Sequence, residues 1–73
     1  MLSRITIDPD VYHGKPTIRG SRLLVSTILE LLAAGMTWDE IVSDYPNIEP
    51  DDIKVSLDYA IQLARFRTQP LAG

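Results

Sequence analysis

The spacing of apolar residues predicts two consecutive helices in the middle of the chain. From Val25 to Ala34 apolar side chains recur every three or four residues, the period of one helix face, and Gly35 follows where a left-handed residue ends many helices. Thr37 and Glu40 have the spacing of a capping box and predict the start of the second helix. Its apolar stripe, which we expect to pack in the core, consists of Trp38, Ile41, Val42 and Tyr45.

A third, longer helix is predicted from Pro50 to about Phe66. Proline is favoured in the first turn of a helix, and Asp51 and Asp52 suit the positive end of the helix dipole. Two apolar rows run along it, one formed by Ile53, Leu57, Ala60, Ile61 and Ala64 and the other by Val55, Tyr59, Leu63 and Phe66. Three short helices have room to cover one row. The second row is therefore either an interaction surface or a face that the N-terminal segment covers.

The first 24 residues predict extended structure instead of helix. Residues 4–7 alternate polar and β-branched apolar side chains, and residues 17–19 form a second run of the same kind. The segment between them is rich in proline and glycine, which is typical of turns. Two strands this short are marginal alone, so we expect them to pack on the helices or to pair with the same strands of a second copy. The candidates for such a dimer contact are Ile5, Ile7 and Ile18.

Length and composition limit the architecture to one small domain. The chain has 73 residues, of which 45% are hydrophobic, and no cysteine. We divide it into an extended arm (residues 1–24), a three-helix bundle (25–67) and a tail (68–73). The predicted fold class is mainly α, a helix-turn-helix bundle with a short two-stranded β arm. A core of this size rarely supplies more than about 3–5 kcal/mol, and the sequence offers neither disulfides nor metal-ligand spacing, so we expect a homodimer or a protein partner.

The N-terminus and the hydropathy of the chain predict a cytoplasmic location. The first residues contain no apolar stretch of the kind found in signal peptides. No segment approaches the roughly 20 apolar residues that span a bilayer, so we expect no membrane association.

Charge is distributed unevenly along the chain, although the net charge is only −3. The arm carries four basic and two acidic side chains, whereas residues 25–64 carry eight carboxylates and one lysine. Basic arms can reach the phosphates or a groove of DNA, so the arm predicts DNA binding, with solvated charges and turn-forming glycines as the alternative. The DNA-binding candidates are Arg4, His13, Lys15, Arg19, Ser21 and Arg22.

The start of the third helix is poorly suited to DNA by the same reasoning. In helix-turn-helix proteins the first residues of the last helix contact base edges, but here they are Glu49, Asp51 and Asp52, which phosphates repel. His13 with its basic neighbours suggests a nuclease site, yet no second acid–base residue accompanies it. We therefore expect a binding protein and not an enzyme, with no cofactor and no small-molecule substrate.

Several short motifs resemble the signature of domain-of-unknown-function family 433 (DUF433). The most specific is the run from His13 to Arg22, which reads HGKPTIRGSR. Further matches, which extend the resemblance over roughly residues 5–64, are Ile28-Leu29, Gly35-Met36-Thr37, Glu40-Ile41, Tyr45-Pro46, Asp52-Ile53 and Leu57 with Tyr59-Ala60. Ser21 and Leu24 depart from the family, which usually has threonine and proline at these positions.

The resemblance implies a homeodomain-like fold and the role of antitoxin in a toxin–antitoxin pair, with a toxin similar to PIN-domain ribonucleases. We expect the end of helix 3 and the tail to bind the toxin, and a dimer to bind operator DNA. The partner-binding candidates are Val55, Tyr59, Leu63, Arg65, Phe66 and Arg67. Two alternatives stay open, namely a stand-alone DNA-binding transcriptional regulator and a protein-interaction module without nucleic-acid binding.

Overall fold

A computed structural model describes residues 4–21 and 23–66, with Phe66 described by its backbone only. In these residues a two-stranded antiparallel sheet precedes three α-helices. The elements are β1 (Ile5–Thr6), β2 (Thr17–Ile18), α1 (Val25–Ala33), α2 (Trp38–Asp44) and α3 (Pro50–Phe66). The predicted fold class is confirmed, because the chain is mainly helical with a short two-stranded β element at its N-terminal end. In the part of the chain described, no helix has the length and apolar character needed to cross a membrane.

The end of α1 is built by Gly35, as its position in the sequence predicts. Gly35 has a φ of 98°, in the left-handed region that favours glycine. Its amide donates to the carbonyl of Leu32 at 3.0 Å, and the Met36 amide donates to the carbonyl of Leu31 at 3.1 Å. This pair of bonds is a Schellman motif, which satisfies carbonyls that the helix end would leave free. It turns the chain directly into α2.

The start of α2 confirms the predicted capping box. The Glu40 amide donates to Thr37 Oγ1 at 3.1 Å, and the Thr37 amide donates to Glu40 Oε1 at 2.8 Å. Ile41 is fully buried, but Trp38 at the first position of the helix is 40% exposed. The expectation that Trp38 packs in the core is therefore wrong, because this residue is exposed and does not belong to the hydrophobic cluster.

The core lies where the three helices meet the sheet. All three pairs of helices are in contact, and β2 closes one side of the core with Ile18. The buried cluster consists of Ile18, Val25, Ile28, Ile41, Ile48 and Ile53. Ile48 comes from the loop between α2 and α3, so this connection is anchored at its centre as well as at its ends.

The apolar residues of α3 do not divide into the two rows that the sequence predicts. Ile53 and Val55, one from each row, are both buried, whereas Ile61 and Leu63, again one from each row, are 49% and 51% exposed. The buried apolar residues therefore lie in the first half of α3 and the exposed ones near its end, whichever row they belong to. The reason is length, since the 17 residues of α3 extend well past α1 and α2, which have 9 and 7 residues.

Candidate interaction surfaces

Arg4 connects the N-terminal arm to the start of α3. Its Nη1 donates to Glu49 Oε1 at 2.8 Å and to Asp52 Oδ1 at 2.9 Å, and its Nη2 lies 3.6 Å from Asp51 Oδ2. One guanidinium thus faces three carboxylates. The two that it hydrogen-bonds, Glu49 and Asp52, are 45 and 48 residues away in sequence. We call this set of four residues the Arg4 clamp.

The Arg4 clamp determines what this arginine can contribute to DNA binding. The hydrogen bonds to Glu49 and then to Asp52 raise the pKa of the Arg4 guanidinium above its ordinary value. A raised pKa means that the stabilising charge is fully present below the ordinary arginine value and is lost only in strongly alkaline solution. Arg4 is therefore charged throughout the neutral range, but its charge is matched within the chain, which argues against a phosphate contact.

Asp52 combines two structural roles in the first turn of α3. Its Oδ2 accepts a hydrogen bond from the Glu49 amide at 2.8 Å, while Oδ1 accepts from Arg4. The residue is only 4% exposed, so both carboxylate oxygens are used inside the fold. The acidic start of α3, which the sequence marks as unsuited to phosphate, is an internal binding site for the arm. The segregation of basic and acidic residues along the sequence is the signal from which this contact could have been inferred.

The turn that follows Asp10 adopts an uncommon backbone conformation. Tyr12, His13 and Gly14 have φ values of 50°, 56° and 83°, so three consecutive residues are left-handed and two of them are not glycine. For a residue other than glycine, the left-handed conformation costs about 1–2 kcal/mol relative to right-handed backbone. The Gly14 amide donates to the Val11 carbonyl at 3.0 Å, and the Lys15 amide donates to the Tyr12 carbonyl at 3.1 Å. These bonds hold Tyr12 and His13 with their side chains exposed.

Two of the remaining DNA-binding candidates, Arg19 and Ser21, line an open cleft in the arm. The cleft has a volume of about 500 Å³, and its lining includes Arg19 and Ser21 as well as Asp8 and Asp10. Lys15 and Arg19 are exposed, while the Ser21 hydroxyl accepts a hydrogen bond from the Leu23 amide at 2.9 Å. The mixture of signs means that this face is less basic than the sequence of the arm suggests. Arg22 lies outside the described residues.

The partner-binding candidates on α3 are separated by the structure into buried and exposed groups. Val55 is 7% exposed and so has almost no surface to offer a partner, which corrects its place among the candidates. Tyr59 is partly buried against the core, whereas Leu63 and Arg65 are exposed in the last turns. Ile61, which the sequence places in the core row, joins this exposed end. The side chain of Phe66 and the whole of Arg67 lie outside what the structure describes.

The dimer candidates in the arm are similarly divided. Ile18 is 1% exposed in the core of the chain itself, so in this conformation it cannot contact a second copy, and its assignment needs correction. Ile5 is partly buried against the same core, and Ile7 is 58% exposed. Among the described residues, histidine and the carboxylates form no group of three that could hold a metal ion.

Comparison with known proteins gives one family and a small number of relatives. The family described as "Protein of unknown function (DUF433)" matches residues 5–60. A Sinorhizobium fredii (strain NBRC 101917 / NGR234) protein named "Uncharacterized protein y4eO" is 29% identical over 56 residues, which are 77% of this chain and 25% of that protein. A Mycobacterium tuberculosis (strain ATCC 25618 / H37Rv) protein named "Putative antitoxin VapB45" is 32% identical over 56 residues, 77% of this chain and 23% of that protein.

The solved structures include a similar fold. The crystal structure of a DUF433 member protein from Anabaena variabilis ATCC 29413 aligns with a TM-score of 0.76 and 29% sequence identity, over 81% of this chain and 58% of that one. The chain thus spans about a quarter of the length of the curated relatives it matches and somewhat more than half of the solved relative.

Proposed function

Because the chain belongs to the family described as "Protein of unknown function (DUF433)", and a relative bears the name of an antitoxin, we propose that it is the antitoxin-like component of a toxin–antitoxin pair. It acts by binding a toxin protein and not by catalysis. The toxin that the family resemblance implies is a PIN-like ribonuclease. The same chain acts in the cytoplasm, where such a ribonuclease meets its RNA.

The observation that carries this proposal is the exposed end of α3. Residues 61–65 are all exposed, and they include Ile61 and Leu63, two large apolar side chains that are about half exposed. An apolar helix end that protrudes from a small bundle is suited to a groove on another protein, where its side chains occupy hydrophobic pockets. The Arg4 clamp supports this assignment indirectly, since it uses the opposite end of the same helix for the fold.

Arg65 gives the exposed end of α3 a chemical role against a ribonuclease. The active site of a PIN-like enzyme is a cluster of carboxylates around a divalent metal ion. An arginine delivered into such a cluster can form two parallel hydrogen bonds with a carboxylate and so competes with the metal. Arg65 lies in the last turn of α3, four residues beyond Ile61, so the two side chains share one face of the helix. Arg67 follows it in the sequence and would add a second cation.

The test is co-expression of this chain with the product of the neighbouring gene, which the proposal expects to be the ribonuclease toxin. We expect the double variant Ile61→Asp/Leu63→Asp to lose neutralisation of the toxin, and Arg65→Ala/Arg67→Ala to weaken it. Lys54→Ala is the matched control, because Lys54 is an exposed cation on the same helix but far from its end. Circular dichroism should be unchanged in all three, since the substituted side chains of the described residues are exposed.

The outcomes separate the surface from the function. Full neutralisation by both double variants would remove the end of α3 from the mechanism while leaving the antitoxin role in place. Failure of the unmodified chain to bind or neutralise the neighbouring gene product would contradict the role itself.

Operator binding through the arm is a second candidate function. It is favoured by the exposed cations Lys15 and Arg19, which both follow a constrained turn that displays His13. Binding of this kind weakens steeply with salt, because phosphate contacts release counterions. A gel shift with the DNA upstream of the gene should therefore depend on salt and decrease in Lys15→Ala/Arg19→Ala. If Lys54→Ala alone abolishes the shift, α3 contacts the DNA and the arm does not.

A further inference from the structure

β1 is an open strand edge in the part of the chain that the structure describes. β2 has a neighbour on each side, since it pairs with β1 and also forms a bridge from Thr17 to Leu24. Among the described residues, β1 pairs with β2 alone. An open edge presents backbone donors and acceptors that another strand can pair with, and it is a common site of association between chains.

The register of the sheet decides which groups of β1 point outward. The Arg19 amide donates to the Arg4 carbonyl at 2.7 Å, and the next pair along the ladder is Ile5 with Ile18. Hydrogen-bonded and non-hydrogen-bonded pairs alternate in an antiparallel ladder, so Ile5 belongs to a non-hydrogen-bonded pair. Its amide and carbonyl therefore point away from β2. The same alternation directs the backbone groups of Ile7 outward when the strand continues by one residue past Thr6.

Side-chain exposure marks the same edge. Residues two apart in a strand lie on one face of the sheet, so Ile5 and Ile7 share a face. Ile5 packs against the core, but Ile7 extends beyond it and is 58% exposed, the largest exposure among the large hydrophobic side chains described. A strand added along this edge would cover Ile7 and lengthen the apolar face that Ile5 begins.

The sequence of this edge is complementary to itself. When residues 4–8 (RITID) are aligned antiparallel with a second copy about Thr6, Ile5 lies opposite Ile7 of the second copy and Arg4 lies opposite Asp8. The outward amides and carbonyls of the two isoleucines then face each other, which permits four hydrogen bonds across the two-fold axis. Arg4 already has carboxylate partners, so its attraction to Asp8 is modest, and the isoleucine pairs and backbone bonds contribute most.

Neighbouring registers fit less well. An alignment about Ile5 places Ile7 opposite Ser3 and leaves it without an apolar partner. An alignment about Ile7 places Pro9 opposite Ile5, and proline has no amide to donate. We propose that β1 is the dimer interface of this protein, where it pairs with β1 of a second copy in the antiparallel register centred on Thr6, so that a four-stranded sheet crosses the dimer. This inference does not depend on the antitoxin role.

A single cysteine tests the register directly, because the natural chain contains none. In the proposed register Thr6 lies opposite Thr6 of the second copy, in a non-hydrogen-bonded pair with Cα atoms about 4.5 Å apart. A disulfide can span this distance. Under mild oxidation we expect Thr6→Cys to form a covalent dimer on a non-reducing gel. Ser43→Cys, exposed on α2, is the matched control and should form several-fold less. Equal cross-linking of the two variants would overturn the proposed register.

Sedimentation velocity on the full chain tests the interface without a cross-link. The unmodified protein is expected to have twice the mass of one chain, and Ile7→Lys should raise the dissociation constant at least tenfold. Ile61→Lys, the matched change at the exposed end of α3, should leave the mass unchanged. A monomeric unmodified protein, or a dimer that only Ile61→Lys dissociates, would overturn the proposal, the latter by assigning the interface to α3.

Discussion

The two halves of α3 differ in burial. In the first half Ile53 is fully buried, and the Asp52 side chain accepts two hydrogen bonds from within the chain. Ile61, about two turns beyond Ile53, is half exposed. The two isoleucines belong to one apolar row in the sequence. They differ because α1 and α2 are shorter than α3 and cover only its beginning. The start of α3 therefore belongs to the fold, and the end is available to another molecule.

The charged residues at the two ends of α3 also have different roles. Three carboxylates at the start of α3 surround Arg4, so the acidic residues there are engaged in holding the arm. At the other end, Arg65 is exposed and follows two exposed apolar residues. Contacts at the start of the helix should thus affect unfolding, and contacts at its end should affect association. Unfolding and binding measurements on matched variants separate these two effects.

The largest effect on stability is expected for Ile53→Ala. Ile53 is completely buried in the core cluster, and truncation of such a side chain leaves a cavity that costs about 2–5 kcal/mol. This is comparable with the whole stability expected of a domain this small. The measurement is urea unfolding followed by circular dichroism at one fixed protein concentration. A loss below about 1 kcal/mol would contradict the position of the core.

A smaller but clear effect is expected for Asp52→Ala. The substitution leaves the Glu49 amide and the Arg4 guanidinium without their buried acceptor. We expect the free energy of unfolding to fall by about 1–3 kcal/mol. Asp51→Ala is the matched control, because Asp51 is exposed and lies 3.6 Å from Arg4. Its effect should be within about 0.5 kcal/mol. Equal losses in the two variants would mean that general charge at the helix start matters, and not the buried hydrogen bonds.

Local features of α1 and α2 could be predicted from the sequence because their causes are local. The capping box joins Thr37 and Glu40, which are three residues apart, and Gly35 ends α1 through bonds to the turn before it. Each motif requires a particular residue type at a fixed spacing, so the sequence alone indicates it. The bounds of these helices agree with the expectation to within one residue.

The Arg4 clamp and the exposed end of α3 could not be predicted in the same way. The clamp joins residues more than 40 positions apart, and the sequence indicates only that the two segments carry opposite charges. The exposure of Ile61 depends on how far neighbouring helices reach, which apolar periodicity within α3 does not record. The proline- and glycine-rich segment indicates a turn, but it does not indicate the left-handed backbone at Tyr12 and His13, because residues with a side chain rarely adopt it.

The smallest effect on stability is expected for Ile61→Ala, which is the matched counterpart of Ile53→Ala on the same face of the helix. About half of Ile61 is already in contact with water, so the substitution removes little buried area and should change the free energy of unfolding by no more than about 0.5 kcal/mol. If the end of α3 binds the toxin, the same variant should still weaken the complex measurably, since apolar anchors at an interface contribute more there than they do to the free chain. Ile53→Ala should therefore lower mainly the free energy of unfolding, and Ile61→Ala should lower mainly the affinity for the toxin. A loss of stability above about 1 kcal/mol in Ile61→Ala would instead mean that this end of the helix is already packed, against another part of the chain or a second copy, and would end the contrast between the two halves of α3.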